Sequence, residues 1–234
     1  MTAYAALDSQ SHRHLRVIAG PRRDFGNAVP FVGIVPGEFA RIATHHPIFL
    51  RRNNGSGQLE PGAMLGFKAG ENLFLSDSGW TTPYVPLEFQ RQPFMLIPGA
   101  GDDYALAVDT DSPRLSADDG ERLYLATGHR SDFLETMTDI VGQFCQGVPA
   151  AHRYGQVLSE LGLVEPARLE IRLGDGSETR IEGLHTLNRD RVDALDGGTL
   201  LRLRDAGWLE LIYIQLASLA QIPNLIARRN GQPA

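Results

Sequence analysis

Histidines, cysteines and closely spaced carboxylates are the residues whose chemistry can be read from type and spacing alone. The chain has seven histidines, His12, His14, His45, His46, His129, His152 and His185. None falls in an H-E-x-x-H pattern, and no His-x-Asp pair precedes a distal histidine. The usual spacings of zinc sites and of facial-triad iron are therefore missing. His45 and His46 are neighbours, and on a helix neighbours diverge by about 100°, so they do not chelate one ion together. No metal centre is assigned. His45, joined by Glu38 or by a residue distant in the chain, stays as the one candidate ligand. The plainer reading is a helix-end histidine bonded to backbone. Asp109-Thr110-Asp111 opens like a calcium loop, but Pro113 and Arg114 stand where a ligand and a glycine belong. Cys145, the only cysteine, lies beside Phe144 in an amphipathic run and reads as a small buried hydrophobe. No G-x-S-x-G nucleophile turn is present. Gly174-Asp175-Gly176 lacks the third glycine and the helix of a dinucleotide loop. No cofactor is assigned.

What remains is a cluster of aromatic and polar residues: Asn72 and Phe74, then Trp80, Tyr84, Arg91 and Phe94. Tryptophan, tyrosine and arginine together are what interfaces and small-molecule pockets favour; half-buried rim residues are the bland alternative. The longest nearly unbroken apolar run is Gly207 to Leu219, interrupted by Glu210, Gln215 and Ser218. It is shorter than the about 20 apolar residues of a bilayer crossing. It reads as a core segment whose polar groups could be aimed inward. Tyr213 and Gln215 from this run join Asn72, Trp80, Tyr84 and Arg91 as candidate ligand- or partner-binding residues.

The elements that must position these residues follow from periodicity and punctuation. Residues 1–30 are polar and read as an N-terminal arm, partly disordered; the folded domain is expected over 31–230. Helix is expected from Gly37 to His45 and again from Pro86 to Arg91. Strands are expected over Ile48–Leu50, over Ala63–Lys68 and Asn72–Ser76, and over Phe94–Ile97 and Tyr104–Val108. Ser131 is a good N-cap, and its helix is expected to break at Gly147-Val148-Pro149. A second helix then runs to about Leu161. Arg168–Leu173 and Glu178–Ile181 alternate about Gly174-Asp175-Gly176 as a hairpin. Asn188–Leu195, Thr199–Ala206 and Trp208–Leu219 read as helices, and Pro223 opens a last one. Strands first and helices later make an α+β pattern, one compact domain with a seam placed near 128–131.

The 234 residues carry a net charge of -6, which disfavours sequence-independent nucleic-acid binding. No charged-then-apolar leader and no spanning segment is read, so the expected address is cytoplasmic, with signal-less export to the cell surface as the alternative.

Gly70-Glu71-Asn72-Leu73-Phe74, Gly79-Trp80, Tyr84-Val85-Pro86 and Arg91-Gln92-Pro93-Phe94 resemble the signature of the SapC family of bacterial proteins. Glu38-Phe39, His45-His46-Pro47, Asp109 with Ser112-Pro113, and a C-terminal block of Gly183, Leu195, Leu203, Gly207, Leu211-Ile212-Tyr213 and Ser218-Leu219 resemble its flanks. The likeness spans Val35 to Leu225. The chain departs from the family pattern at Gln215, where histidine is frequent, at Gln92, where an aromatic is common, and at His46, where a tyrosine is common. The family name comes from surface-layer gene clusters. The resemblance implies an accessory role in uptake, modification or a surface-layer-linked system, and carries no catalytic residue over. The expected function is thus a non-catalytic or accessory binding protein holding a partner protein or a small-molecule or peptide ligand. The alternatives are a metal-dependent enzyme acting on peptides or aromatic small molecules, and a structural surface-layer subunit. No nucleic acid and no membrane insertion are expected, and self-association into a homo-oligomer is left open.

Overall fold

The computed structural model describes residues 3–99, 103–174 and 176–231. The tips of the hairpins expected near 98–101 and 174–176 include residues outside that range. In chain order the strands are β1 (Tyr4–Ala6), β2 (Arg16–Val17), β3 (Phe31–Gly33), β4 (Ile48–Arg52), β5 (Leu59–Met64), β6 (Leu75–Ser76) and β7 (Gly79–Trp80). They continue with β8 (Phe94–Pro98), β9 (Tyr104–Asp109), β10 (Leu115–Ser116), β11 (Glu121–Arg122), β12 (Val164–Arg172) and β13 (Glu178–Leu187). The helices are α1 (Phe39–Ile42), α2 (Leu87–Gln90), α3 (Asp132–Glu160), α4 (Arg189–Asp193), α5 (Gly197–Asp205), α6 (Trp208–Ser218) and α7 (Ile222–Arg229). The protein is α+β, with strands mostly in the N-terminal half and the long α3 and later helices in the C-terminal half.

Two compact units share the chain. The first comprises Met1–Ala28, Leu75–Thr81 and Leu87–Gln146; the second comprises Val29–Phe74, Thr82–Pro86 and Gly147–Ala234.

In the first unit β9 lies between β1 and β8, antiparallel to both, with Tyr4 opposite Asp109 and Phe94 opposite Val108. The stretch read as an arm is therefore strand over Tyr4–Ala6, and Arg16–Val17 lies between β10 and β11. Its few apolar residues are the ones that pack: Val17 is fully buried, and Leu7 and Leu15 lie against the same core. That core adds Phe94, Val108, Leu123 and the face of α3 carrying Leu134, Met137 and Val141. The spacing of three and four residues lays them on one side of the helix. Ser131 starts α3 as expected, its Oγ accepting from Leu134 N at 3.1 Å.

The second unit is built on a five-stranded antiparallel sheet in the order β12-β13-β4-β5-β3. The register pairs Leu50 with Pro61 and Phe31 with Met64. Between Ala167 and Leu169 the pairing of β12 with β13 shifts by a bulge, which bends the long hairpin. The expected strands over Ala63–Lys68 and Asn72–Ser76 are displaced. β5 ends at Met64, and beyond it Asn72 Oδ1 accepts from Phe74 N at 3.0 Å. This side-chain turn uses the backbone that a strand would need. The expected break at Gly147-Val148-Pro149 is also corrected, because α3 runs through Pro149 as one helix of 29 residues. Ala151, Tyr154 and Leu158 continue a buried stripe beyond the proline, and that packing outweighs the roughly 3 kcal/mol cost of an interior proline.

Candidate functional site

Trp80 and Arg91 belong to the first unit, and Asn72, Tyr84, Tyr213 and Gln215 to the second. Trp80 is half-buried, opposite Leu75 in the β6–β7 ribbon, with its ring edge-on to Phe89 at 5.8 Å. Arg91 is 9% exposed. Its Nε and Nη2 donate to the two Glu88 oxygens at 2.9 and 2.6 Å, its Nη1 donates to Phe94 O at 3.0 Å, and Phe144 lies 4.8 Å beneath it. A guanidinium with both ends of its fork occupied is a tie within the fold. Arg114, which sequence reasoning passed over, is 2% exposed. It donates to Gly20 O, Asn27 Oδ1 and Gln92 Oε1 and covers the Phe25 ring at 4.5 Å. Burial, and then Arg22, push its pKa down to about 10 against the pull of Asp24.

The second unit carries a buried polar and aromatic cluster. Tyr84 donates its hydroxyl to Glu38 Oε2 at 3.3 Å, and the Arg41 guanidinium sits 4.5 Å over its ring. Burial foremost, then the Glu38 charge, hold the Tyr84 phenol well above its ordinary range. Glu38 is fully buried. The next residue, Phe39, meets Tyr154 edge-on at 5.5 Å, and Tyr154 lies 6.0 Å from Trp208. Tyr154 donates to Gln215 Oε1 at 2.8 Å. Both are fully buried, and Gln215 Nε2 has no hydrogen-bond partner. Burial also raises the Tyr154 phenol. Ser218 Oγ accepts from Ile48 N at 2.8 Å and donates to Gln215 O at 2.6 Å, fastening α6 to β4.

His45 is half-buried, its ring 6.4 Å from that of His46. His46 lies 4.1 Å from Phe74, whose ring also carries the Arg228 guanidinium at 4.7 Å. Among the described residues no three histidine, cysteine, aspartate or glutamate side chains are grouped to hold a metal ion.

The polar groups Gln215 and Ser218 of α6 thus face inward, and Glu210 is exposed. Ile212, Gln215 and Ser218 are buried, whereas Ala217 and Ala220 are exposed and Tyr213 is 42% exposed. Arg189 lies 5.8 Å over the Tyr213 ring. The helical run continues through α7, so Trp208–Arg229 spans 22 residues, long and apolar enough by length and composition to cross a membrane. The apolar run read from the sequence, Gly207 to Leu219, is the first part of it. Only 22% of the most apolar window of this run is buried.

The cluster, the sheet and the helical run define an α+β protein whose second unit buries a polar and aromatic cluster and carries a mostly unburied apolar helical run. The SapC family model matches residues 7–225, and the chain belongs to the SapC family. No curated protein and no solved structure matches it.

Proposed function

We propose that this SapC-family chain is an accessory binding protein that holds a partner protein against the outward face of α6 and the helical run that follows it. The observation that carries this reading is an outward face of α6 that holds Tyr213 and Ala217 with a single charge, Glu210. Gln215 and Ser218 are buried and bonded inward, while Tyr213, Ala217 and Ala220 face out. Leu201 on α5 adds a side chain 48% exposed. An apolar surface shown to water marks a contact site, and a partly exposed tyrosine is a typical anchor. A protein partner suits the run better than lipid. Gln215 and Ser218 within it are engaged with Tyr154 and Ile48, and Arg229 ties its far end to Glu71 at 3.0 Å.

The test is a photo-crosslinking residue placed at Tyr213, and separately at exposed Asp111, in the cells that make the protein. The expected result is one discrete protein adduct from position 213, none from 111, and loss of the adduct in Ala217→Glu with an unchanged melting temperature. Equal adducts from both positions, no adduct, or adducts with lipid alone overturn it.

A further inference from the structure

Two adjoining hollows of about 290 and 460 Å³ open on the sheet of the second unit, sharing Phe31, Arg51, Arg52 and Asn54. Strand register explains their composition. Phe31 pairs with Met64 on β5, while Arg51 at the end of β4 faces Glu60 on one side and Leu184 of β13 on the other. Directly opposed residues share a face, so one face gathers Phe31, Met64, Leu184, Arg51 and Glu60. The Phe31 ring lies across Gly62, where a Cβ would come within 2.1 Å of it. Lys68, the only lysine in the chain, reaches the larger hollow from the loop after β5.

The charges there are cationic and open to solvent. The chain is acidic, with 28 carboxylates against 22 arginines and lysines. Several of its arginines are matched, as in Arg91–Glu88, Arg172–Glu178, Arg180–Glu170, Arg189–Asp193 and Arg229–Glu71. Among the described residues neither Arg51 nor Lys68 has a carboxylate within ion-pair distance. Arg51 lies 5.9 Å from the Phe31 ring, and Arg52 donates to Gly57 O at 2.6 Å. The acids lining the hollows are Glu60, held by Asn53 and by His152 at 3.0 Å, and exposed Glu182. Exposed cations beside an aromatic and apolar floor match a ligand with an anionic head and an apolar body.

We infer that this groove binds a small organic anion, a phosphate ester or carboxylate on a ring or short chain. Arg51 and Lys68 take the charge, while Phe31, Met64 and Leu184 take the body. The site is separate from the α6 face and independent of it.

Titration calorimetry with phenyl phosphate, benzoate and inorganic phosphate tests the inference and tells the two head groups apart. Arg51→Met and Lys68→Met are each expected to weaken binding about tenfold, the worth of one charge-assisted hydrogen bond. Both sites are exposed, so the melting temperature stays put. Phe31→Val is expected to weaken phenyl phosphate and leave inorganic phosphate as it was. Salt raised from about 0.05 to about 0.5 M lowers the affinity, because exposed charges are screened. Phenyl phosphate also slows acetylation of Lys68, read by mass spectrometry at the single lysine. Absence of both binding heat and protection at millimolar ligand, or an affinity unmoved in the Arg51→Met/Lys68→Met double variant, overturns the inference.

Discussion

His46 is 1% exposed and stacked near Phe74. Burial, then the His45 and Arg228 charges, push its pKa down to about 3 against the lift of a hydrogen bond with the Met64 backbone. An unfolded chain takes up that proton near pH 6.5 and the folded chain only near pH 3. The unfolded state binds more protons across that window, so this residue's contribution is intact above pH 6.5. It is lost as the pH falls, by up to about 1.4 kcal/mol per pH unit. Urea unfolding at pH 7 and pH 4.5 is expected to show a smaller loss for His46→Gln than for the parent chain. The Tyr154–Gln215 bond gives a second expectation. Tyr154→Phe or Gln215→Leu alone strands a buried polar group at about 1–3 kcal/mol. The double variant removes both ends and is expected to cost clearly less than the sum, read as a coupling energy in a double-mutant cycle. Little of this was legible in the sequence. Arg91 reads as a surface anchor by type, yet its bonds to Glu88 and Phe94 O depend on a fold that residue type does not encode. Tyr154 and Gln215 are 61 residues apart, and no local pattern links them.

Among the elements, legibility follows how local the signal is. Ser131 starts α3 and Asn188 caps α4, its Oδ1 accepting from Arg191 N at 2.9 Å. Both are cap interactions within one turn; Ser131 was read as a cap, and Asn188 as the first residue of its helix. The continuation of α3 past Pro149 was not readable, because what holds it is contact with residues far along the chain. Gly155 shows how close that contact is: a Cβ there would lie 1.8 Å from the carbonyl oxygen of Leu59. Backbone cannot swing aside as a side chain can, so Gly155→Ala is expected to cost about 1–3 kcal/mol or more. A lowered urea midpoint with an unchanged helical signal is the measurement that checks it. β5 illustrates the opposite error. The sequence reading starts the strand late, at Ala63, while the structure seats Leu59–Met64 between β4 and β3 with Pro61, a residue disfavoured inside sheets, in its middle.

At the scale of the molecule, the α+β class was readable from strands gathering early and helices late. The interleaving of the chain was not, since each unit collects three separate segments. The first unit depends on its opening residues more than their polar composition announces. Arg114 holds Gly20 and Asn27 with a buried guanidinium. Removing residues 1–28 is expected to unfold that unit, since a buried charge stripped of partners costs about 3–5 kcal/mol. Arg114→Met in the shortened chain is expected to recover part of the loss, read by thermal melting of both proteins. The same fastening sets a timetable for synthesis. Residues 18–27 leave the ribosome long before Gln92 and Arg114 exist. At about 5–20 residues per second they wait on the order of 5–20 s for the side chain that secures them. A nascent end exposed that long must stay soluble by itself, and the run of Ser9, Gln10, Ser11, His12, Arg13 and His14 suits that interval as well as it suits the finished surface.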